Sequence, residues 1–276
     1  ILYTSGSTGQ PKGVTISHRA VMAFVEWATA EFHPLPADRF ASIAPFHFDL
    51  SLFDLFVSQR AGAAVVLIDE LTSKNPRRLA QLIDDRGITI CYSTPTALTM
   101  LLNHGRLERH VCRFLRLVLF AGEIFPASYL RQLMAAWPSA SYFNLYGPTE
   151  TNVCTWYQVP EDFAAAGTAT LPIGRPCSHA RVMVLSGDQP VPVGEIGELV
   201  VSGDGLMSGY WNLPTADTRV FLVDDDNIRW YRTGDFVSET PSGHLLFHGR
   251  RDRMVKRRGY RIELAEIECL PQILPK

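Results

Sequence analysis

The sequence lacks several features that would assign its class directly. It has no excess of basic residues, because 26 lysines and arginines stand against 28 aspartates and glutamates, a formal net charge of −2. A protein that neutralises many phosphates needs a clear excess of Lys and Arg. Its apolar runs fall far short of the ~20 residues of a membrane helix, and no signal peptide precedes Ile1. We therefore expect neither a nucleic-acid nor a membrane partner.

Cysteine is also scarce, and the five residues are scattered along the chain. They are odd in number and lack the paired spacing of a zinc site, which favours a reducing, cytoplasmic setting. An apolar fraction of 46% and a charged fraction of 20% are typical of a soluble globular protein. With 276 residues the chain can bury a core in one large domain or two ordinary ones.

The first positive signal is the glycine-rich, hydroxyl-rich stretch YTSGSTGQPKG, residues 3–13. Glycines let backbone N–H groups approach an anion, Ser and Thr hydroxyls can donate to phosphate oxygens, and Lys12 supplies a positive charge. Pro11 separates the second glycine from Lys12, so the spacing is not that of a Walker A loop, which argues against a P-loop kinase or NTPase. The alternative is a polar surface loop. Apolar residues on both flanks, however, predict a strand–loop–strand hairpin.

Helical and strand patterns alternate between residues 17 and 145. A helix follows the N-cap Ser17 and ends before Pro34. We predict further helices over residues 51–60, 76–86, 95–103 and 126–137, and strands over residues 63–68, 88–93, 116–120 and 140–145. Strands separated in this way imply right-handed βαβ units and a parallel sheet, whose ligands lie beyond the carboxyl ends of the strands. The loops after Ser93, Phe120 and Leu145 are therefore the candidate site.

The character of the sequence changes after about Pro160, where helical periodicity disappears. Short strands separated by Gly, Pro and Asp turns are predicted over residues 181–185, 197–202, 230–237 and 244–248, which indicates a compact β subdomain. The expected domains are an α/β core with the phosphate loop and acyl pocket (1–158), a β subdomain (159–251) and the start of a third unit (252–276).

The stretch YTSGSTGQPKG resembles the phosphate loop of the adenylate-forming enzymes, which include acyl-CoA synthetases, luciferases and peptide-synthetase adenylation domains. NLYGPTE, residues 144–150, resembles their adenylate-binding loop, and YRTGDF, residues 231–236, resembles their ribose-binding motif. The run GRRDRMVKRRGYRIELAEIE, from Gly249, resembles the junction with a small C-terminal domain. GELVVSGDGLMSGYW, from Gly197, resembles a glycine-rich β motif that we interpret as structural. The five matches keep their order along the chain.

This resemblance implies an α/β fold, the N-terminal domain fragment of an adenylate-forming enzyme. It would contain a parallel βαβ sheet, a small β-barrel-like subdomain and the start of a C-terminal lid domain. The family's catalytic lysine lies near the end of that lid and is absent here, and no initiator Met is present. We therefore expect a fragment of a longer protein, which by itself would bind weakly and adenylate poorly.

ATP and Mg²⁺ are the cofactors that the resemblance implies. It assigns catalysis to Thr4, Ser5, Thr8, Lys12, Thr149 and Glu150, and the metal to Glu150. It assigns nucleotide binding to Gly6, Gly9, Asn144, Tyr146, Gly147, Asp235, Phe247 and Arg250, and the hinge to Asp252. Tyr146 offers an aromatic face for a purine, Thr149 a hydroxyl for the α-phosphate and Glu150 a hard oxygen ligand. Asp235 would accept hydrogen bonds from both ribose hydroxyls.

Two of these motifs also have plain structural readings. The Gly-Pro of the adenylate loop could form a type I turn, and the basic run after Gly249 could be a solvated face. Phe247 stands where the family usually has Tyr, so ring stacking on the nucleotide would survive but a hydroxyl contact would not. Arg250 would approach the phosphates.

Asp49 in the stretch FDLS points to an amino acid as the acyl substrate. The resemblance implies that this carboxylate pairs with the substrate ammonium, and its apolar neighbours give it little other reason to be buried. The alternative is a charge placed near the N-terminus of a helix. His47 is either a gate over the acyl tunnel or a packing residue.

The other pocket positions follow by aligning the motifs of this sequence: Leu50, Phe53, Tyr92, Leu119, Ala121, Leu145, Val153 and Cys154. All are apolar except for the hydroxyl of Tyr92, so a charged or amide side chain would lack a partner for its polar end. The set resembles that of stand-alone L-prolyl-AMP ligases, which load proline onto a carrier protein.

The predicted function is ATP-dependent activation of an amino acid, with L-proline as the best candidate. The aminoacyl-AMP would form with release of pyrophosphate, and a thioester to a phosphopantetheine carrier protein would follow. The alternatives are a non-catalytic nucleotide-binding module and an acyl-CoA ligase that acts on a small carboxylic acid.

Overall fold

The computed structural model describes residues 1–5, 11–110, 112–164, 170–215 and 220–250, and the backbone of 254–257 and 260–263. The predicted phosphate-loop residues Gly6, Thr8 and Gly9 and the predicted hinge Asp252 lie outside the described residues. The chain forms two compact units, each built from separate stretches. We call residues 25–145 and 156–171 the α/β unit, and residues 1–24, 146–155 and the described parts of 172–276 the β-rich unit.

The elements follow one another along the chain in this order. The strands are β1 (Leu2–Thr4), β2 (Lys12–Thr15), β3 (Arg39–Ser42), β4 (Ala64–Leu67), β5 (Ile90–Ser93), β6 (Leu117–Ala121), β7 (Ser141–Tyr146), β8 (Thr155–Gln158), β9 (Arg175–Pro176), β10 (Ala180–Ser186), β11 (Gln189–Pro190), β12 (Ile196–Gly203), β13 (Gly209–Tyr210), β14 (Phe221–Val223), β15 (Arg229–Glu239), β16 (Leu245–Arg250), β17 (Met254–Arg257) and β18 (Tyr260–Glu263). The helices are α1 (His18–Phe32), a π-helical turn (Phe53–Val57), α2 (Ser58–Ala61), α3 (Glu70–Ser73), α4 (Pro76–Asp85), α5 (Pro95–His104) and α6 (Ala127–Ala136), with 3₁₀ turns at Leu107–Arg109 and Glu161–Ala164.

The α4 helix shows how local signals set the helix limits. The Asn75 side chain caps its N-terminus by accepting from the backbone N–H groups of Arg77 and Arg78, each at 3.2 Å. Pro76 occupies the first turn, where no N–H partner is needed. Gly87 follows in a left-handed conformation, with φ +57°. The predicted helix over residues 76–86 is thus confirmed.

The α/β unit contains a parallel sheet with the order β4-β3-β5-β6-β7, which confirms the predicted βαβ arrangement. Its main core lies on the sheet face that α4, α5 and α6 cover. The sequence analysis missed β3, because four residues after a proline-rich turn are too few to show a period. Parallel pairing with β4 and β5, on either side, holds this strand in place.

The β-rich unit is built from antiparallel strands. β1 pairs with β2, so the strand–loop–strand hairpin predicted around the phosphate loop is confirmed, and β13 extends this small sheet on the β2 side. A second sheet has the order β11-β10-β12-β15-β14, with β16 also paired to β15. Its core is formed by Ile173, Val184, Leu199, Val201, Val237 and Leu245.

The compact units do not follow the order of the chain. The sequence analysis assigned the phosphate-loop strands and the YGPTE loop to the segment 1–158, whereas residues 1–24 and 146–155 belong to the β-rich unit. The physical reason is contact between residues far apart in the sequence. β2 pairs with β13, and the N–H of Met207 donates to the Glu150 carbonyl. The expected domain limits at residues 158 and 251 stay predictions. Among the described helices, none is long and apolar enough to cross a membrane.

Candidate functional site

Two hydroxyl groups at the end of strand β1 have no hydrogen-bond partner in the part of the hairpin that the structure describes. Thr4 ends β1 and Ser5 follows it, and both side-chain oxygens are buried without a hydrogen-bond partner among the described residues. A buried polar group without a partner costs about 1–3 kcal/mol. An anion that accepts hydrogen bonds from these hydroxyls would remove that cost, so the hairpin has the chemistry expected of a phosphate site.

Lys12 and Glu150 each contact the same tyrosine, Tyr210. The Nζ of Lys12 lies 5.2 Å from the centre of the Tyr210 ring, within the range of a cation–π interaction. The hydroxyl of Tyr210 donates to Oε1 of Glu150 at 2.8 Å, and the Glu150 side chain is completely buried. The sequence analysis missed Tyr210, because it interpreted the GYW end of the fifth motif as structural. A tyrosine in that glycine-rich motif was the available signal.

The YGPTE loop is a tight turn, and it carries site residues at the same time. A Cβ atom on Gly147 would lie 1.6 Å from the carbonyl oxygen of Asn152, so only glycine fits. The N–H of Thr151 donates to the Pro148 carbonyl at 2.9 Å, and that of Met207 to the Glu150 carbonyl at 2.8 Å. Of the other predicted residues here, Thr149 is half-buried and Asn144 is buried on β7.

Asp235 lies at the centre of a second cluster of predicted nucleotide-binding residues. The residue is only 4% exposed, and its Oδ1 accepts from Nη1 of Arg250 at 2.7 Å. Its Oδ2 accepts from the hydroxyl of Tyr146. The ring of Phe247 packs against Tyr146, with centres 6.5 Å apart. The structure thus brings together four residues that the sequence motifs had named separately.

The Tyr146 hydroxyl keeps its proton in this cluster. Burial, and then the adjacent Asp235 carboxylate, raise the pKa of Tyr146 well above its ordinary value. Tyr146 therefore donates a hydrogen bond to Asp235 over the whole physiological range of pH.

Five of the predicted pocket residues share one face of the parallel sheet in the α/β unit. Phe53 packs edge-on against Tyr92, with ring centres 5.4 Å apart and planes at 73°. The strand register places Tyr92 beside Leu119, and Ala121 beside Leu145. Residues two apart in a strand lie on the same face, so these side chains form one surface. It is opposite the face that carries the main core, to which Cys91, Val118, Phe120 and Tyr142 belong.

Val153 and Cys154 belong to the β-rich unit, where both are buried. Burial raises the pKa of the Cys154 thiol to about 12, so it stays protonated and behaves as a small apolar group. The Nε2 of His179 lies 3.0 Å from the Val153 carbonyl oxygen. Burial lowers the pKa of His179, and the neutral ring donates from Nε2 to this carbonyl.

Asp49 stands at the start of the helical segment that contains Phe53. Its carbonyl accepts the N–H of Leu52 at 3.0 Å, and Asp49 and Leu50 are both half-buried. The apolar neighbourhood led us to expect a buried carboxylate, but Asp49 keeps partial access to solvent. His47 is exposed and its ring lies 4.9 Å from that of Phe48.

A second carboxyl group, which the sequence analysis missed, lies five residues after Asp49. Asp54 is in the π-helical turn and is only 1% exposed. Among the described residues, neither of its carboxyl oxygens has a hydrogen-bond partner. Burial raises the pKa of Asp54 well above its usual range, which favours the neutral acid. The burial of Asp54 could not be predicted from the sequence, because an acidic residue between Phe53 and Leu55 is equally typical of the exposed face of a helix.

Comparison with known proteins gives consistent matches over nearly the whole chain. Residues 1–211 match the family described as AMP-binding enzyme. The chain is 46% identical over 273 residues to a ligase of L-proline and the L-prolyl-carrier protein from Streptomyces coelicolor, covering 98% of this chain and 50% of that protein. A ligase of the same name from Pseudomonas fluorescens is 43% identical over 274 residues, covering 98% of this chain and 52% of that protein.

A solved structure shows the same fold. The Vibrio cholerae adenylation domain AlmE, in complex with glycyl-adenosine-5′-phosphate, superposes with a TM-score of 0.87 at 32% identity, covering 97% of this chain and 50% of that one. The chain spans about half the length of the curated relatives it matches.

Proposed function

This chain belongs to the AMP-binding enzyme family, and from that premise we propose that its protein activates L-proline as prolyl-AMP and transfers it to a carrier protein. The observation that carries the nucleotide half of this proposal is the cluster of Tyr146, Asp235 and Arg250. The similarity to two L-proline carrier-protein ligases supports the choice of amino acid.

In the first step a carboxylate oxygen of proline attacks the α-phosphorus of ATP. The bond from that phosphorus to the bridging oxygen breaks, and pyrophosphate leaves with the electron pair. No proton needs to move, so positioning and charge neutralisation dominate catalysis. Lys12 and the hydroxyls of Thr4, Ser5 and Thr149 supply positive charge and hydrogen-bond donors for the phosphate oxygens.

Glu150 is the proposed ligand for Mg²⁺. Magnesium in nucleotide sites is held by one or two carboxylates together with phosphate oxygens, and when bound it neutralises charge on the phosphates. No group of three or more His, Cys, Asp and Glu side chains in the described part of the chain is arranged to hold a metal alone. One buried carboxylate oriented by Tyr210 fits a metal that the nucleotide itself helps to bind.

Asp235 is the proposed ribose ligand and Asp49 the proposed partner of the substrate ammonium. The ring of proline would pack on the surface formed by Phe53, Leu119 and Leu145, with Tyr92 at the far end. None of these residues carries a charge that could pair with a charged side chain, so acidic and basic amino acids would leave a buried charge unpaired.

In the second step the phosphopantetheine thiolate of the carrier protein attacks the prolyl carbonyl carbon. A thioester forms, and AMP leaves with the electron pair of the broken C–O bond. The lysine that the family resemblance implies for the first step would come from beyond this chain, in the lid domain.

ATP–pyrophosphate exchange with the full-length protein, measured across the twenty amino acids, tests this proposal. We expect proline to support the fastest exchange, small aliphatic amino acids to follow well behind and charged ones to give none. Nucleotide binding without any exchange would indicate a non-catalytic module. Equal exchange with carboxylic acids that lack an amine would indicate an acyl ligase.

A further inference from the structure

A β-bulge presents the carboxylate of Asp235. Glu198 of β12 pairs with Phe236 of β15, and Val200 pairs with Arg232, so three residues of β15 lie opposite Leu199 alone. We call these three residues, Thr233–Asp235, the TGD bulge. A bulge bends its strand, interrupts the ladder and changes the direction of a side chain, and it leaves backbone groups that need other partners.

The hydroxyl of Thr233 satisfies two of these backbone groups. Thr233 is buried, and its Oγ1 donates to the Leu199 carbonyl at 2.8 Å. The same oxygen accepts the backbone N–H of Asp235 at 3.0 Å. One hydroxyl thus ties the ribose-binding residue to the neighbouring strand at the point where the ladder is broken.

Glu198 satisfies a third backbone group, the N–H of Gly234 at the centre of the bulge. Gly234 has a left-handed backbone, with φ +72°, and its N–H donates to Oε1 of Glu198 at 3.2 Å. The other oxygen, Oε2, accepts from Nη1 of Arg232 at 2.7 Å. Arg232 also contacts the exposed carboxylate of Asp188. Glu198, on β12, therefore contacts β15 through both oxygens, with one on the bulge itself and the other on Arg232 just before it.

We infer that Thr233 and Glu198 are positioning residues for ribose recognition. This inference rests on the proposed role of Asp235. Two ribose hydroxyls can both bond to one carboxylate only if that carboxylate is held in a narrow range of orientations. The two side chains hold the backbone of Gly234 and Asp235 directly, so losing either bond releases the residue whose orientation the ribose requires.

The test uses ATP and 2′,3′-dideoxy-ATP, which lacks both ribose hydroxyls, with the full-length protein. We expect Thr233→Val, which keeps the shape but removes the hydroxyl, to raise the KM for ATP about tenfold. The KM for the dideoxy nucleotide should stay nearly constant, so the preference for ATP should shrink by the same factor. Thr233→Ser, which keeps the hydroxyl, should restore the preference.

Glu198→Gln provides a second variant of nearly unchanged volume. In glutamine an NH2 group replaces one of the two oxygens, and an NH2 group cannot accept, so the donor on that side loses its partner. The charged Arg232 is the stronger competitor for the remaining oxygen. We expect the preference for ATP to fall about threefold to tenfold. Asp188→Asn is the matched control, because it removes the other carboxylate that contacts Arg232 without touching the bulge, and it should leave the preference unchanged.

Equal losses for both nucleotides, in Thr233→Val or in Glu198→Gln, would mean that these residues only stabilise the fold, and the inference would be wrong. If Thr233→Val does not fold, the comparison of Glu198→Gln with Asp188→Asn decides the question. If the unaltered protein does not distinguish ATP from the dideoxy nucleotide, the proposed role of Asp235 itself fails, which is a separate result.

Discussion

The acidic side chains in and next to the candidate site are held differently in the two units. In the β-rich unit Glu150 and Asp235 are buried, and each accepts from a tyrosine hydroxyl, with Arg250 as a further donor to Asp235. In the α/β unit Asp49 is half-buried, whereas Asp54 is buried with no hydrogen-bond partner among the described residues.

This difference concerns the hydrogen-bond donors that each acid has. Donors around a buried carboxylate replace the water that it loses, so it can remain ionised. Asp54 has no such donors among the described residues, and burial alone raises its pKa. Asp49 keeps part of its hydration instead. The proposed binding roles are therefore those of Asp49, Glu150 and Asp235, and none is proposed for Asp54.

The largest expected effect is at Asp49. In the full-length protein, Asp49→Ala leaves the substrate ammonium without a partner, at a cost on the order of 3–5 kcal/mol. The kcat/KM for proline should fall several hundredfold or more in the exchange assay. Cyclopentane carboxylic acid, which lacks the amine, is the matched control and should lose nothing. An equal loss for both acids would contradict the role of Asp49.

Asp235→Ala is expected to have the next largest effect. It removes the charge-assisted hydrogen bonds to the ribose, and the loss of one such bond costs roughly 1.5–3 kcal/mol, so the KM for ATP should rise at least about tenfold. The KM for proline should change far less. An unchanged KM for ATP would show that the cluster around Asp235 does not bind the ribose.

Tyr210→Phe, also in the β-rich unit, should reduce activity less than Asp235→Ala does. It removes the hydroxyl bond to Glu150 but keeps the ring beneath Lys12. Loss of one hydrogen bond of about 1 kcal/mol should raise the Mg²⁺ concentration for half-maximal exchange about threefold to tenfold. Tyr210→Leu, which also removes the aromatic face, should cost more. Identical Mg²⁺ dependence in all three proteins would exclude Tyr210 from orienting Glu150.

The smallest expected effect is on stability, at Asp54. Its folded-state pKa lies above the ordinary value of 3.8, so its contribution to the free energy of unfolding is fully present below that pH. The contribution is lost as the pH rises towards the folded-state pKa. The asparagine of Asp54→Asn does not titrate. Between acid and neutral pH the free energy of unfolding should therefore fall less in this variant than in the unaltered protein.

Urea unfolding between acid and neutral pH measures how steeply the free energy of unfolding changes with pH in each protein. Exchange activity should be nearly unchanged in Asp54→Asn, in contrast to Asp49→Ala. If the two proteins show the same pH slope, Asp54 is not the neutral acid that its burial implies.

Local sequence patterns were sufficient to predict most of the helices and strands, and the motifs were sufficient to name residues that the structure brings together. Helix α4 was predictable because Pro76 and Gly87 mark its limits, and the phosphate-loop hairpin because apolar residues flank a glycine-rich run. Tyr146 and Asp235 were named because two short motifs resemble those of the adenylate-forming enzymes. Such features depend on residues a few positions apart, so the sequence alone determines them.

Tertiary structure decided what depends on pairing between distant strands. The pairing of β2 with β13 brings Tyr210 to Lys12, the hydrogen bond between Met207 and Glu150 brings the YGPTE loop to the same place, and the register of β12 against β15 creates the TGD bulge. Likewise, the Asp54 carboxyl group has no hydrogen-bond partner among the described residues because of what packs around it, and not because of its neighbours in sequence. Hydrogen-bond satisfaction and burial are properties of the packed chain, and no local period in the sequence encodes them.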